Sequence, residues 1–165
     1  KPMIVRLAAQ DDLASIVDIY NQGIRARGAT FETKERTVDD VRSWLNPLYP
    51  LLVADLDADV LGWIHASSYR TRECYAGIAE FSIYVHEKVR GQHVGDALMA
   101  AFLPACEKAG FWKVLSRIFP ENIASRALCK KHGFREVGLY EKHARLDGIW
   151  KDVVIVEKLL ESNLI

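Results

Sequence analysis

Arg90-Gly91-Gln92-His93-Val94-Gly95-Asp96 lies between a β-type run, Glu80 to Val85, and a run with helical periodicity. The first backbone N–H groups of a helix have no intrahelical acceptor, and the aligned peptide dipoles favour negative charge there. Gly91 and Gly95 let the backbone come close to a ligand, and Arg90 adds a positive charge. The segment can therefore cradle a phosphate or pyrophosphate. It is not a Walker loop, because no Gly-Lys-Ser/Thr follows, nor is it G-x-G-x-x-G. The alternative is an ordinary loop that happens to hold glycines.

Other residues offer chemistry of their own. Arg70 and Arg72, in Tyr69 to Tyr75, could clamp anionic oxygens; a solvated basic loop explains them equally well. Asn122 can cap the helix-type run Ile123 to His132. Cys74, Cys106 and Cys129 match no zinc spacing, and His65, His86, His93, His132 and His143 form no close ligand pair, so no metal site is expected. The odd cysteine count argues against a disulfide framework and for a reducing cytoplasm.

The elements that must position these groups follow from periodicity. Met3 to Ala8 reads as a strand. Asp11 or Asp12 caps a helix with the apolar stripe Leu13, Ile16, Val17, Tyr20 and Ile24, broken at Gly28. Thr37 and Asp40 resemble a capping box opening a short helix that stops before Pro47. Tyr49 to Leu56 and Asp59 to Ser68 form a hairpin. Ile78 to Val85 is the next strand. A helix from His93 to Ala109 carries Val94, Leu98, Phe102 and Ala105 on one stripe, is kinked or made irregular by Pro104, and closes at Gly110. A strand from Trp112, the Asn122 helix ending at Gly133, and two β-runs complete the order β, α, α, β, β, β, α, β, α, β, β. This is a mixed α/β chain with a locally parallel β–α–β stretch.

With 165 residues, half of them hydrophobic, the chain suits a single domain over residues 1–165. Lys+Arg and Asp+Glu balance at 22 each, so no strong field steers it to nucleic acid or an anionic membrane. No apolar run approaches the ~18–20 residues that span a bilayer. The opening residues do not read as a signal peptide, because acids appear before any long apolar stretch.

The stretch from Ala79-Glu80-Phe81-Ser82-Ile83-Tyr84-Val85 through the glycine turn to Glu121-Asn122-Ile123-Ala124-Ser125 and Gly133-Phe134 resembles the GCN5-related N-acetyltransferase superfamily. That family's turn, Gln/Arg-x-x-Gly-x-Gly/Ala, reads here Arg90-Gly91-Gln92-His93-Val94-Gly95, with His93 in the middle-glycine slot. Ile19-Tyr20-Asn21, Ala29 to Thr33 and Asp147 to Val153 extend the likeness to the phosphinothricin and methionine sulfoximine acetyltransferase-like branch. The resemblance implies an α/β (α+β mixed) acyl-CoA N-acyltransferase fold: a central mixed, twisted sheet of about seven strands flanked by about four helices.

It also implies roles. Glu80 would be the base that takes the amine proton, directly or through water. A free carboxylate is a weak base, with a pKa of ~4.3, and flanking Ile78, Ala79 and Phe81 could raise it by desolvation. Ile83, Tyr84 and Val85 would offer backbone groups to the pantetheine arm of acetyl-CoA, with a backbone N–H, that of Val85, facing the oxyanion. Arg90, Gly91, Gln92, His93, Val94, Gly95 and Asp96 would wrap the pyrophosphate, with the Asp96 carboxylate turned away. His93 could point outward if its φ is negative, or add a pH-dependent contact. Asn122 and Ser125 would meet the pantetheine amide. Many family members place a Tyr four residues after Ser125; here that position is Cys129, a possible acid for the departing thiolate or a small buried residue. His143 reads as structural.

For the acceptor, Arg70 and Arg72 are joined by Phe31, placed near the same mouth by analogy, and by Glu73, Cys74 and Tyr75, which line up with substrate contacts in relatives. That points to a small amino acid bearing carboxylate and phosphinate or sulfoximine oxygens, and so to a role in antibiotic or herbicide resistance. Asp147 argues against a strongly anionic acceptor. The alternatives are another amine (polyamine, aminoglycoside or protein N-terminus) or a non-catalytic acyl-CoA-binding module. Branch members are often homodimers, and Trp44, Leu45, Leu48 and Tyr49 could supply part of such a surface or belong to the core.

Overall fold

The computed structural model describes residues 2–165. Its strands are β1 (Ile4–Leu7), β2 (Leu51–Leu56), β3 (Asp59–Ser68), β4 (Ile78–Val85), β5 (Lys113–Ile118), β6 (Arg135–Leu146) and β7 (Ile149–Leu159). Its helices are α1 (Leu13–Ala26), α2 (Val38–Val41), α3 (Val94–Lys108) and α4 (Ile123–Lys131). One seven-stranded sheet runs in the order β1-β2-β3-β4-β5-β7-β6. Every pairing is antiparallel except β4 with β5, the pair joined by α3 as a β–α–β crossover requires. No described helix is long and apolar enough to cross a membrane.

Alternate side chains of a strand leave opposite faces, and β4 shows what that does. Ala79 and Phe81, with Ile83 and Val85 beside them, pack into the cluster with Leu98, Met99 and Phe102 of α3. Tyr84 joins the other cluster, with Leu13 and Ile16 of α1 and Trp63 of β3. Trp63 is fully buried, and its indole N–H donates to the Ile16 carbonyl at 3.1 Å, which satisfies the one polar group that burial strands. Gly23 permits this packing: a Cβ there would stand 2.5 Å from the Tyr84 ring.

Several local expectations change. The Asp12 carboxylate does not cap α1; it accepts from Ala9 N–H at 2.7 Å and from both Arg6 Nη atoms. The chain leaves α1 through Arg27, at a left-handed φ of 62°, one residue before Gly28. The Thr37–Asp40 capping box forms. Helix α3 continues through Pro104 to Lys108. Both Pro104 and Ala100, whose carbonyl loses its intrahelical donor, are exposed, so water can serve that carbonyl. Gly110, at φ 96°, ends the helix. Trp44 stacks on His65 at 4.5 Å and Tyr49 packs on Phe111, so these aromatics belong to this chain's own interior; Leu48 alone of that group is exposed.

Candidate active site

Strands β4 and β5 pair only from Ile78 with Lys113 to Glu80 with Leu115. Beyond that point β5 stays with β7 as far as Ile118, while β4 stays with β3 as far as Val85. The sheet forks between them. Ser116 Oγ donates to the Phe81 carbonyl at 2.8 Å just past the branch point. Further along, the β5-facing backbone edge of β4 has no strand partner. Open backbone of this kind can pair with an extended amide-bearing chain.

A cavity of about 420 Å³ occupies the fork. Glu80, Ser82, Ile83 and Tyr84 form one wall, Ser116, Arg117, Ile118 and Phe119 the other. Asn122, Ser125 and Cys129 of the α4 region close it, and Tyr20, Phe31 and His143 approach from elsewhere in the chain. The ring of Phe31 meets that of Phe119 edge-on at 5.0 Å.

The Glu80 carboxylate is on the α1 side of the sheet, bonded through Oε1 to Arg117 Nη2 at 2.7 Å. Ala79 and Phe81 do not shield it, because neighbouring strand residues point to the opposite face. The partner of Glu80 is thus a cation rather than an apolar shell. Two residues beyond Leu115, its register neighbour, Arg117 emerges on the same face as Glu80.

The glycine turn stands at the start of α3. Gly91 has φ 78° and His93 has φ 64°. The middle-glycine slot therefore keeps the left-handed backbone of a glycine while carrying an imidazole, so the condition of a negative φ is not met. His is among the residues that tolerate this region. The first helical bond runs from Ala97 N–H to the His93 carbonyl, leaving the earlier N–H groups of α3 without intrahelical acceptors. The Asp96 carboxylate faces His132 Nε2 at 2.7 Å and Lys131 Nζ at 3.0 Å. It is turned to α4, and these two partners hold its pKa below the ordinary value, Lys131 more than His132. Gly95 has its own role: a Cβ there would already touch Leu128 of α4 at 3.4 Å.

Residues 90–96 and Val85 are not part of the cavity lining, whereas Ile83, Tyr84, Asn122, Ser125 and Cys129 are. Asn122 Oδ1 accepts from Ser125 N–H at 3.2 Å, so it caps α4 while lining the cavity. Cys129 is 2% exposed and packs into the α3-side core. Burial pushes its thiol up to about 12, with Glu136 adding to the rise, which makes it a weaker proton donor than a free thiol.

Among the expected acceptor contacts, Phe31 alone lines the cavity; Arg70, Arg72, Glu73, Cys74 and Tyr75 do not. They form an exposed loop in which Arg70 covers the Tyr69 ring and Arg72 the Tyr75 ring. Tyr69 raises the Arg70 guanidinium above its ordinary value, with Glu80 adding to the rise, and the loop leads into β4 at Ile78. Asp147 is occupied by Arg27, whose Nε donates to it at 2.9 Å, so its charge does not oppose an anionic acceptor.

Arg117, Phe119 and His143 were not legible as site residues. His143 reaches the cavity because β6 bulges between Tyr140 and Ala144, with Lys142 N–H donating to Asp152 Oδ1 at 2.7 Å. Lys142 at φ 46° is the strained point of that bulge, and no sequence pattern announces it. Among the described residues, no group of three or more His, Cys, Asp or Glu could hold a metal ion.

Comparison with known proteins agrees with this geometry. The profile of the Acetyltransferase (GNAT) family matches residues 15–134. The phosphinothricin N-acetyltransferase of Streptomyces coelicolor is 32% identical over 163 residues, covering 94% of this chain and 95% of that one. The L-methionine sulfoximine/L-methionine sulfone acetyltransferase of Pseudomonas aeruginosa is 27% identical over 164 residues, covering 96% and 95%. The crystal structure of a GNAT superfamily phosphinothricin acetyltransferase from Sinorhizobium meliloti, solved in complex with AcCoA, superposes with a TM-score of 0.90 at 28% identity, covering 97% of this chain and 89% of that one. The chain belongs to the acetyltransferase (GNAT) family, in the branch whose members carry these names.

Proposed function

We propose that this protein transfers the acetyl group of acetyl-CoA to the primary amine of a small amino acid of the phosphinothricin or methionine sulfoximine type. The observation that carries the reading is the fork between β4 and β5, with Glu80 at its branch point and the N-terminus of α3 at the end of β4. The unpaired β4 edge suits the amide-bearing pantetheine arm. The free N–H groups of Val94, Gly95 and Asp96, with Arg90, Gly91, Gln92 and His93 before them, suit the pyrophosphate. Asn122 and Ser125 sit where the arm would pass.

In this reading the free amine attacks the thioester carbonyl carbon, forming an N–C bond as the C–O π pair moves onto oxygen. A backbone N–H at the end of β4, that of Val85, stabilises the oxyanion. Glu80 takes the proton that nitrogen must lose. The intermediate collapses by breaking the C–S bond, and the proton held on Glu80 passes through water to the thiolate, so that free thiol leaves and the Glu80 carboxylate is restored. Arg70 and Arg72 at the mouth remain available to distal oxygens of the acceptor. Acetylation removes the positive charge of the amine, which is how such an enzyme would disarm a toxic amino acid. A cytoplasmic setting suits the exposed free thiol of Cys74. A homodimer would use the edge strand β6, where Val137, Leu139 and Tyr140 are exposed.

The test is thiol release from acetyl-CoA against a panel containing phosphinothricin, methionine sulfoximine and methionine sulfone, beside a polyamine, an aminoglycoside and a short peptide. Saturable release with one of the amino acids is expected. Turnover confined to the other three would replace the acceptor class, and none at all with intact acetyl-CoA binding would favour a binding module.

A further inference from the structure

Glu80 and Arg117 are the only Asp, Glu, Lys or Arg side chains among the described residues lining the forked cavity. They stand 2.7 Å apart, with side-chain exposures of 24% and 42%. The cavity therefore presents one negative and one positive group side by side. An α-amino acid presents one cation and one anion on the same carbon, the complementary arrangement.

We infer that Arg117 is a specificity-determining residue that takes the α-carboxylate of the acceptor while Glu80 takes its amine. This rests on the reading of Glu80 as the proton acceptor. A guanidinium carries N–H groups along more than one edge, and the bond to Glu80 Oε1 engages Nη2. Arg117 can hold Oε1 of Glu80 and receive a carboxylate together. Its planar fork matches carboxylate geometry. Without it, an incoming carboxylate would meet only the like charge of Glu80. The loop arginines do not substitute, because neither Arg70 nor Arg72 lines the cavity. An amine without a neighbouring carboxylate gains nothing from Arg117 and brings a second cation close to it.

The experiment compares kcat and KM for an accepted amino acid and for its α-carboxamide, with wild type, Arg117→Ala and Arg117→Lys. Wild type should prefer the acid. Arg117→Ala should lose on the order of 10–100-fold in kcat/KM on the acid, mostly through KM. On the carboxamide the loss should be smaller, limited to what Glu80 feels on losing its partner, so that the acid-to-amide ratio falls. Lysine should restore part of the ratio. If the alanine variant does not fold, as judged by circular dichroism, Arg117→Gln reads the same ratio. Equal losses on both acceptors, carried by kcat, would mean that Arg117 only positions Glu80 and would overturn the inference. So would an unchanged ratio, or a wild type indifferent between acid and amide; in both cases acetylation of amino acids stands. A wild type that acetylates no amino acid removes the function reading, and this assignment with it.

Discussion

Arg27 Nε donates to Asp147 Oδ2 across 2.9 Å, joining residues 120 positions apart. Arg27 ends α1 and Asp147 opens the β6–β7 turn, both with left-handed backbone. The segment just after Arg27 carries Ala29, Thr30 and Phe31 into the cavity wall, so the ion pair fastens that wall to the far hairpin. Asp147→Ala should raise the acceptor KM by about 2–5-fold, the scale of an exposed ion pair, and leave acetyl-CoA affinity unaltered. A double-mutant cycle with Arg27→Ala checks this: additive effects would show that the two residues do not act together.

Glu80→Gln keeps the shape of the side chain and a hydrogen-bonding oxygen for Arg117 but removes the proton acceptor. Turnover should fall by roughly 10²-fold or more, with acetyl-CoA binding by calorimetry close to wild type. Undiminished turnover would remove Glu80 as the base.

The left-handed φ of 64° at His93 has a measurable consequence. Glycine relieves the Cβ strain but frees the unfolded chain, and the opposing effects are each about 1 kcal/mol. His93→Gly should therefore be close to neutral in stability and, on the proposal that the turn binds through its backbone, keep the wild-type pH dependence of acetyl-CoA affinity. His93→Val places a β-branched residue where it fits poorly and should cost about 1–2 kcal/mol and weaken acetyl-CoA binding. Equal stability of the glycine and valine variants would contradict the assigned backbone.

Asp12 is 6% exposed and accepts from Arg6 Nη1 at 2.8 Å and Nη2 at 3.0 Å. The Arg6 hydrogen bonds hold its carboxyl below its ordinary value, against the opposing effect of burial. A depressed folded pKa means that its stabilisation is complete above the unfolded value, about 3.9, and is lost as pH falls through the lower folded value. Asp12→Asn should lower stability at pH 7 by about 1–3 kcal/mol. Denaturant melts should show the gap closing below the ordinary carboxylate range; a gap unchanged in acid would rule the linkage out.

Periodicity and capping chemistry, read along the sequence, already contain the order of strands and helices, the Thr37–Asp40 box, the Asn122 cap and the glycine that closes α3. Each depends on residues within a few positions of one another. The same holds for the turn from Arg90 to Asp96, whose anion-binding capacity lies in its own backbone. Tertiary structure alone decided what surrounds Glu80. Its partner Arg117 is set by the parallel register of β4 on β5, and register is a property of two strands. Likewise His143 enters the cavity through a bulge in β6, Asp147 is claimed by Arg27, and the loop of Arg70 and Arg72 stays out of the cavity lining. Local rules name the groups able to do chemistry; the long-range pairing of strands determines which of them meet.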